Sequence, residues 1–96
     1  MVLEVAMLDV KSGQTAAFEQ AFGQAQKIIG SMQGYINHQL HRCIEDSHRY
    51  VLTVNWQTLE HHTEGFRQSE QYLEWKALLH HFYSPFPTVE HFTQVY

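Results

Sequence analysis

Residues 51–92 read VLTVNWQTLEHHTEGFRQSEQYLEWKALLHHFYSPFPTVEHF, and this stretch decides the fold. Tyr50, Leu52, Val54 and Trp56 alternate with Val51 and Thr53 in a β-rich run, which predicts a strand over Arg49–Gln57. Thr58 then offers a hydroxyl to an amide one turn on, and Glu60 lies beside the positive end of the helix dipole, so a helix follows to about Gln68. Ser69 and Glu70 repeat that start signal. Tyr72, Trp75, Leu79 and Phe82 fall at helical spacing behind it, giving a further, aromatic helix. Pro85 and Pro87 forbid its continuation, and Thr88–Tyr96 alternates as a last strand. Trp56, His62, Phe66, Tyr72 and Trp75 converge in this order of elements, which describes a lined cavity.

Working outward, Val2–Val10 is a first strand stopped by Lys11-Ser12-Gly13. From about Thr15, the residues Phe18, Ala21, Phe22, Ala25, Ile28, Ile29 and Met32 form one helical stripe that must face the sheet. Gly30 and Gly34 mark its exit, Tyr35–Cys43 is the second strand, and Glu45-Asp46-Ser47-His48 turns the chain into the third. The order β-α-β-β-α-α-β is a ferredoxin-like α+β sheet with its second helix split, in a single domain spanning residues 1–96. Ala6, Leu8 and Val10 oppose Leu3, Val5 and Met7, so both faces of the sheet carry apolar residues where polar alternation is expected. Helices cover one face. The sheet of a second copy is the simplest cover for the other, and a homodimer through packed sheets is expected.

At 96 residues the core is thin, and 14% aromatic content is high for so small a chain. The net charge of −4, with only six Lys and Arg, leaves no footprint for nucleic acid or an anionic membrane. Met1–Val10 has neither a basic leader nor a long apolar run. Cys43 is the one cysteine and cannot close an internal disulfide, which fits a cytoplasmic protein.

Eight histidines invite a metal reading that their spacing does not support. His38 and His41 point to opposite faces of a strand, while His61-His62 and His80-His81 diverge by roughly 100° on their helices. No metal site is expected, and no phosphate loop or nucleotide fingerprint is present. What remains is the pocket. His62 shares a helix face with Phe66, Tyr72, Trp75 and Lys76 lie within one turn, and Arg67 sits at the helix junction. Such a set gives aromatic walls, a group that exchanges protons near neutral pH, and one or two cations for an oxyanion.

The runs Leu52-Thr53-Val54-Asn55-Trp56-Gln57-Thr58, Gly65-Phe66-Arg67-Gln68-Ser69 and Phe86-Pro87-Thr88-Val89-Glu90-His91-Phe92 resemble the antibiotic biosynthesis monooxygenase (ABM) domain family of small dimeric α+β barrels. The resemblance covers essentially the whole chain. It implies the same fold and dimer, whereas the reaction varies among quinone-forming oxygenases that need no cofactor, haem-degrading oxygenases and autoinducer-processing members. In the quinone-forming enzymes an Asn, a Trp, a Tyr and an Arg surround the substrate. Trp56 matches the Trp, while Leu52, His62 and Lys76 stand at the other three positions. In the haem-degrading branch an Asn, a Trp and an axial His are expected where Ala6, Phe66 and Lys76 stand, so haem chemistry would need His80 or His81 in a shifted register.

The leading expectation is a monooxygenase, without cofactor, for a small electron-rich aromatic of the hydroquinone or phenol type. His62 would act as base, Lys76 or Arg67 as oxyanion partner, and Trp56, Phe66, Tyr72 and Trp75 as walls, with His91 on the last strand a reserve base. The alternatives are a dimer that binds a small metabolite without turning it over, and a haem-binding or haem-degrading protein.

Overall fold

The computed structural model describes residues 1–96. Four strands, β1 (Val2–Asp9), β2 (Tyr35–Arg42), β3 (Arg49–Trp56) and β4 (Thr88–Phe92), form one sheet in the order β2-β3-β1-β4. Each pairing is antiparallel. Helix α1 (Thr15–Gly30) crosses from β1 to β2, and a π-helical turn (His61–Phe66), α2 (Glu70–Leu79) and a short 3₁₀ turn (His80–Phe82) connect β3 to β4. This is the ferredoxin-like α+β arrangement expected, with the second helical connection in pieces.

The core sits between the helices and one face of the sheet. Ala6 and Leu8 on β1, Val10 just beyond it, and Tyr50, Leu52, Val54 and Trp56 on β3 are buried in one core with Phe18, Phe22, Ala25 and Ile29 of α1. Alternation brings these residues to one face, and burial of their apolar area drives helix onto sheet. Phe18 ties the layers together, meeting Tyr50, Phe82 and Phe22 at ring separations of 4.9, 5.8 and 6.1 Å. The opposite face lies open in one chain, with Met7 at 44% and Phe92 at 47% exposure.

Two elements differ from expectation. The last strand ends at Phe92 instead of Tyr96, because Phe92 pairs with Leu3 and β1 has almost no residues left to offer beyond it. The segment after Thr58 is a π-helical turn, not an α-helix. Thr58 does accept from the His61 amide at 3.3 Å, but Arg67 N–H then reaches back five residues to the His62 carbonyl at 3.0 Å. The wider turn ends at Phe66 rather than Gln68. Ser69 caps α2 as expected, accepting from the Tyr72 amide at 3.1 Å and donating to the Phe66 carbonyl at 2.6 Å.

Candidate active site

Between the sheet and the second helical connection lies a cavity of about 400 Å³. Its sheet side follows from register. Ala6 pairs with Leu52 on β3 and with Val89 on β4, so one row of small and branched side chains crosses three strands beneath the cavity. His62, Phe66 and Arg67 come from the π-helical turn and its exit, and Tyr72 and Trp75 from α2. His80, Tyr83, Phe86 and Pro87 complete the lining from the segment that leads into β4.

Of the residues singled out from the sequence, His62, Phe66, Arg67, Tyr72 and Trp75 are brought together around this space. Trp56 is fully buried behind it and stacks on His62 at 5.4 Å and 19°. His91 reaches His62 from β4, with Nε2 at 2.8 Å from Nδ1. Lys76 is exposed on α2 and is not part of the lining. His80 faces the cavity, and His81 is exposed.

The site also holds a buried acidic residue, Glu4. Alternation along β1 puts it on the same face as Ala6 and Leu8, and it is only 5% exposed. That alternation was the available signal, since an acidic residue among inward positions of a strand is costly without partners. Glu4 pairs across the sheet with Val54 on one side and His91 on the other. Its Oε1 accepts from Trp56 Nε1–H at 2.9 Å and lies 3.3 Å from His62 Nε2.

Burial raises the Glu4 carboxyl above the usual carboxylate value, opposed by the Trp56 hydrogen bond and the positive charge of Arg67. Burial also pushes the His62 imidazole down to about 3, with Arg67 and His91 adding to the effect. His91 is lowered by its burial and by Arg67. At neutral pH His62 is therefore uncharged, and its contact with Glu4 is a hydrogen bond, not an ion pair. With Glu4 ionised, the compatible tautomer carries its proton on Nε2 and donates it to Glu4, leaving Nδ1 to accept from His91. Both ring nitrogens are thus engaged. The imidazole also packs in a three-ring cluster, with Trp56 at 19° and Phe66 at 30° to it and those two rings 6.0 Å apart.

The donors needed for a resident metal are not arranged for one: no group of three His, Cys, Asp or Glu side chains could hold an ion. Chemically, the cavity offers a buried proton acceptor, a cation and aromatic surfaces that exclude water.

Known proteins share this fold. Residues 1–78 match the family model described as antibiotic biosynthesis monooxygenase. The chain is 61% identical to YczJ of Bacillus subtilis (strain 168), an uncharacterised protein, over 99% of this chain and all of that one. A crystal structure from Bordetella bronchiseptica, whose name places it in the same family, superposes with a TM-score of 0.95 at 35% identity, covering 99% of this chain and 97% of that one. SnoaB of Streptomyces nogalater, a cofactor-independent oxygenase, shares the fold with a TM-score of 0.77 at 24% identity, covering 99% and 93% of the two chains. With the family model spanning most of the sequence and the fold matching throughout, the chain belongs to the antibiotic biosynthesis monooxygenase family.

Proposed function

We propose that this protein is a monooxygenase that oxidises a small electron-rich aromatic, of the phenol or hydroquinone type, with dioxygen and no bound cofactor. The observation that carries the reading is the cavity itself: aromatic walls from Phe66, Tyr72 and Trp75, a buried Glu4–His62 pair beside them, and the charge of Arg67 at its edge. Phenols whose para carbon bears hydrogen need no more from the protein. Loss of the hydroxyl proton to the buried pair gives an arenolate, which transfers one electron to dioxygen. The resulting radical and superoxide join at the para carbon to form a peroxide. Protonation of that peroxide, loss of the para hydrogen as a proton and cleavage of the O–O bond release water and leave the quinone. One oxygen atom becomes a carbonyl, the other becomes water, and the substrate supplies all four electrons. A neighbouring cation stabilises the arenolate, and Arg67 fills that role in preference to Lys76, which stands outside the lining.

The working unit in this reading is a homodimer packed through the open sheet face, because Leu3, Val5, Met7, Val51 and Phe92 form an apolar surface that one chain leaves uncovered. A reducing cytoplasm suits its free Cys43.

Oxygen uptake by purified protein across hydroquinones, anthrones and catechols tests the reading. Uptake that needs no added cofactor and falls at least tenfold in His62→Ala supports it. Tight binding of these compounds without any uptake would reassign the cavity to binding alone.

A further inference from the structure

The oxygenase reading leaves open which member of the buried pair meets the substrate. His62 has neither nitrogen free: Nε2 faces Glu4 at 3.3 Å and Nδ1 faces His91 at 2.8 Å. Its ring stacks on Trp56 and packs beside Phe66, which fixes its orientation. Glu4 differs. Both of its contacts, from Trp56 and from His62, fall on Oε1, and the residue lines the cavity. That leaves Oε2 with lone pairs to offer a ligand.

We infer that Glu4 is the base that takes the hydroxyl proton of the substrate, that His62 and His91 are positioning residues holding its carboxylate, and that the cavity selects an un-ionised hydroxyarene. The base assignment rests on the oxygenase reading; the ligand selection does not. A carboxylate accepts a hydrogen bond from a neutral hydroxyl and repels an arenolate, so the preference for the neutral form follows from the unpartnered Oε2, while Arg67, also on the lining, holds the arenolate once its proton is on Glu4. In the reaction, the O–H bond breaks with its electron pair staying on the arene, and the proton moves to Oε2. Glu4 then returns that proton to the peroxide formed on dioxygen, and accepts and passes on the para proton as water leaves. The carboxylate ends each cycle as it began. Burial favours this role, because a carboxyl group raised above its ordinary range binds the transferred proton more firmly.

The ligand arm uses 4-nitrophenol, whose neutral and ionised forms differ in colour, with no turnover required. For the unaltered protein, affinity is expected to be constant between the pKa of the Glu4 carboxyl and that of the phenol and to fall tenfold per pH unit above the latter, with the bound species neutral. In Glu4→Gln that fall is expected to shrink to less than threefold per unit. Phenolate bound equally well by both proteins would overturn the selection. The kinetic arm compares oxygen uptake in Glu4→Gln and Glu4→Asp, with circular dichroism confirming the fold of each. A loss of a hundredfold or more in kcat for Glu4→Gln, partly restored in Glu4→Asp, supports the base assignment. Glu4→Gln within twofold of the unaltered protein, beside an inactive His62→Ala, would overturn it while leaving the oxygenase reading in place. If no compound consumes oxygen, the base assignment falls with the oxygenase reading, and the nitrophenol titration still decides what Glu4 recognises.

Discussion

A carboxylate placed on the helix-covered face of a strand is tolerated only if donors replace the water it gives up. Trp56 and His62 are those donors for Glu4, and each is itself immobilised, Trp56 by complete burial and His62 by stacking. The Trp56 bond holds the Glu4 carboxyl lower than burial alone would. Trp56→Phe keeps most of the stacking surface and removes that donor, so the Glu4 carboxyl should rise and the acid limb of the kcat/KM profile should move to higher pH, by about one unit. An unmoved limb would mean that Glu4 does not govern it. From the sequence, the aromatic members of this site were legible because helical and strand spacing sent them inward. Glu4 was not, because an acidic side chain on a strand ordinarily faces solvent, and only its place in the alternation Glu4, Ala6, Leu8 points inward. His62 was expected to be buried near its aromatic neighbours, and it is, yet nothing in the spacing disclosed that β4 brings His91 onto its other nitrogen.

The strands and α1 were readable to within a residue or two at most boundaries, because period-two alternation and the Phe18–Ile29 stripe are long enough to fix their kind. The turn after Thr58 was not, since over six residues a helix of π geometry presents nearly the same pattern as an α-helix. Its placement depends on a tight contact that the sequence only hints at. Gly34 has φ +84° and its backbone approaches His61 so closely that a Cβ there would lie 2.2 Å from the ring. The Gly34 carbonyl also accepts from Gln57 N–H at 2.8 Å, tying the exit of α1 to the end of β3. Gly34→Ala combines an unfavourable backbone region with that clash, and should cost on the order of 2 kcal/mol in urea denaturation. His61→Ala in the same chain should recover part of the loss by removing the ring, leaving the backbone share. If the double variant is no more stable than Gly34→Ala, contact with His61 is not what requires glycine there.

For the molecule as a whole, two features reach beyond any single element. The first is the uncovered sheet face. Sequence alternation already showed it as apolar, because Leu3, Val5 and Met7 sit between the inward positions of β1, but what covers it is not written in one chain. If a second copy packs there, Val5→Lys should lower the sedimentation coefficient from that of a dimer to that of a monomer at micromolar concentration. A dimer that survives the change would place the interface elsewhere. The second feature is acid stability. His62 is neutral when folded down to about pH 3, and the groups facing it are Glu4, His91 and Arg67. Unfolded, it takes up a proton near pH 6.5, so the stability it supplies is complete above that value and is lost as pH falls toward its folded value. Glu4, raised in the folded state, acts in the opposite sense. Between pH 7 and 5, His62→Gln should lose about 2 kcal/mol less stability than the unaltered chain. Equal losses would show that His62 is protonated in the folded protein over that range.

The central claim is that this cavity reacts an aromatic with dioxygen and uses nothing else. Its most direct test supplies isotopically heavy dioxygen to the purified, cofactor-free protein with a phenol or anthrone that it binds, and weighs the product. One heavy oxygen atom in each quinone, and a heavy atom in the released water, is the predicted result. A product with no label, or one that forms only when a reductant or metal is added, would contradict the account.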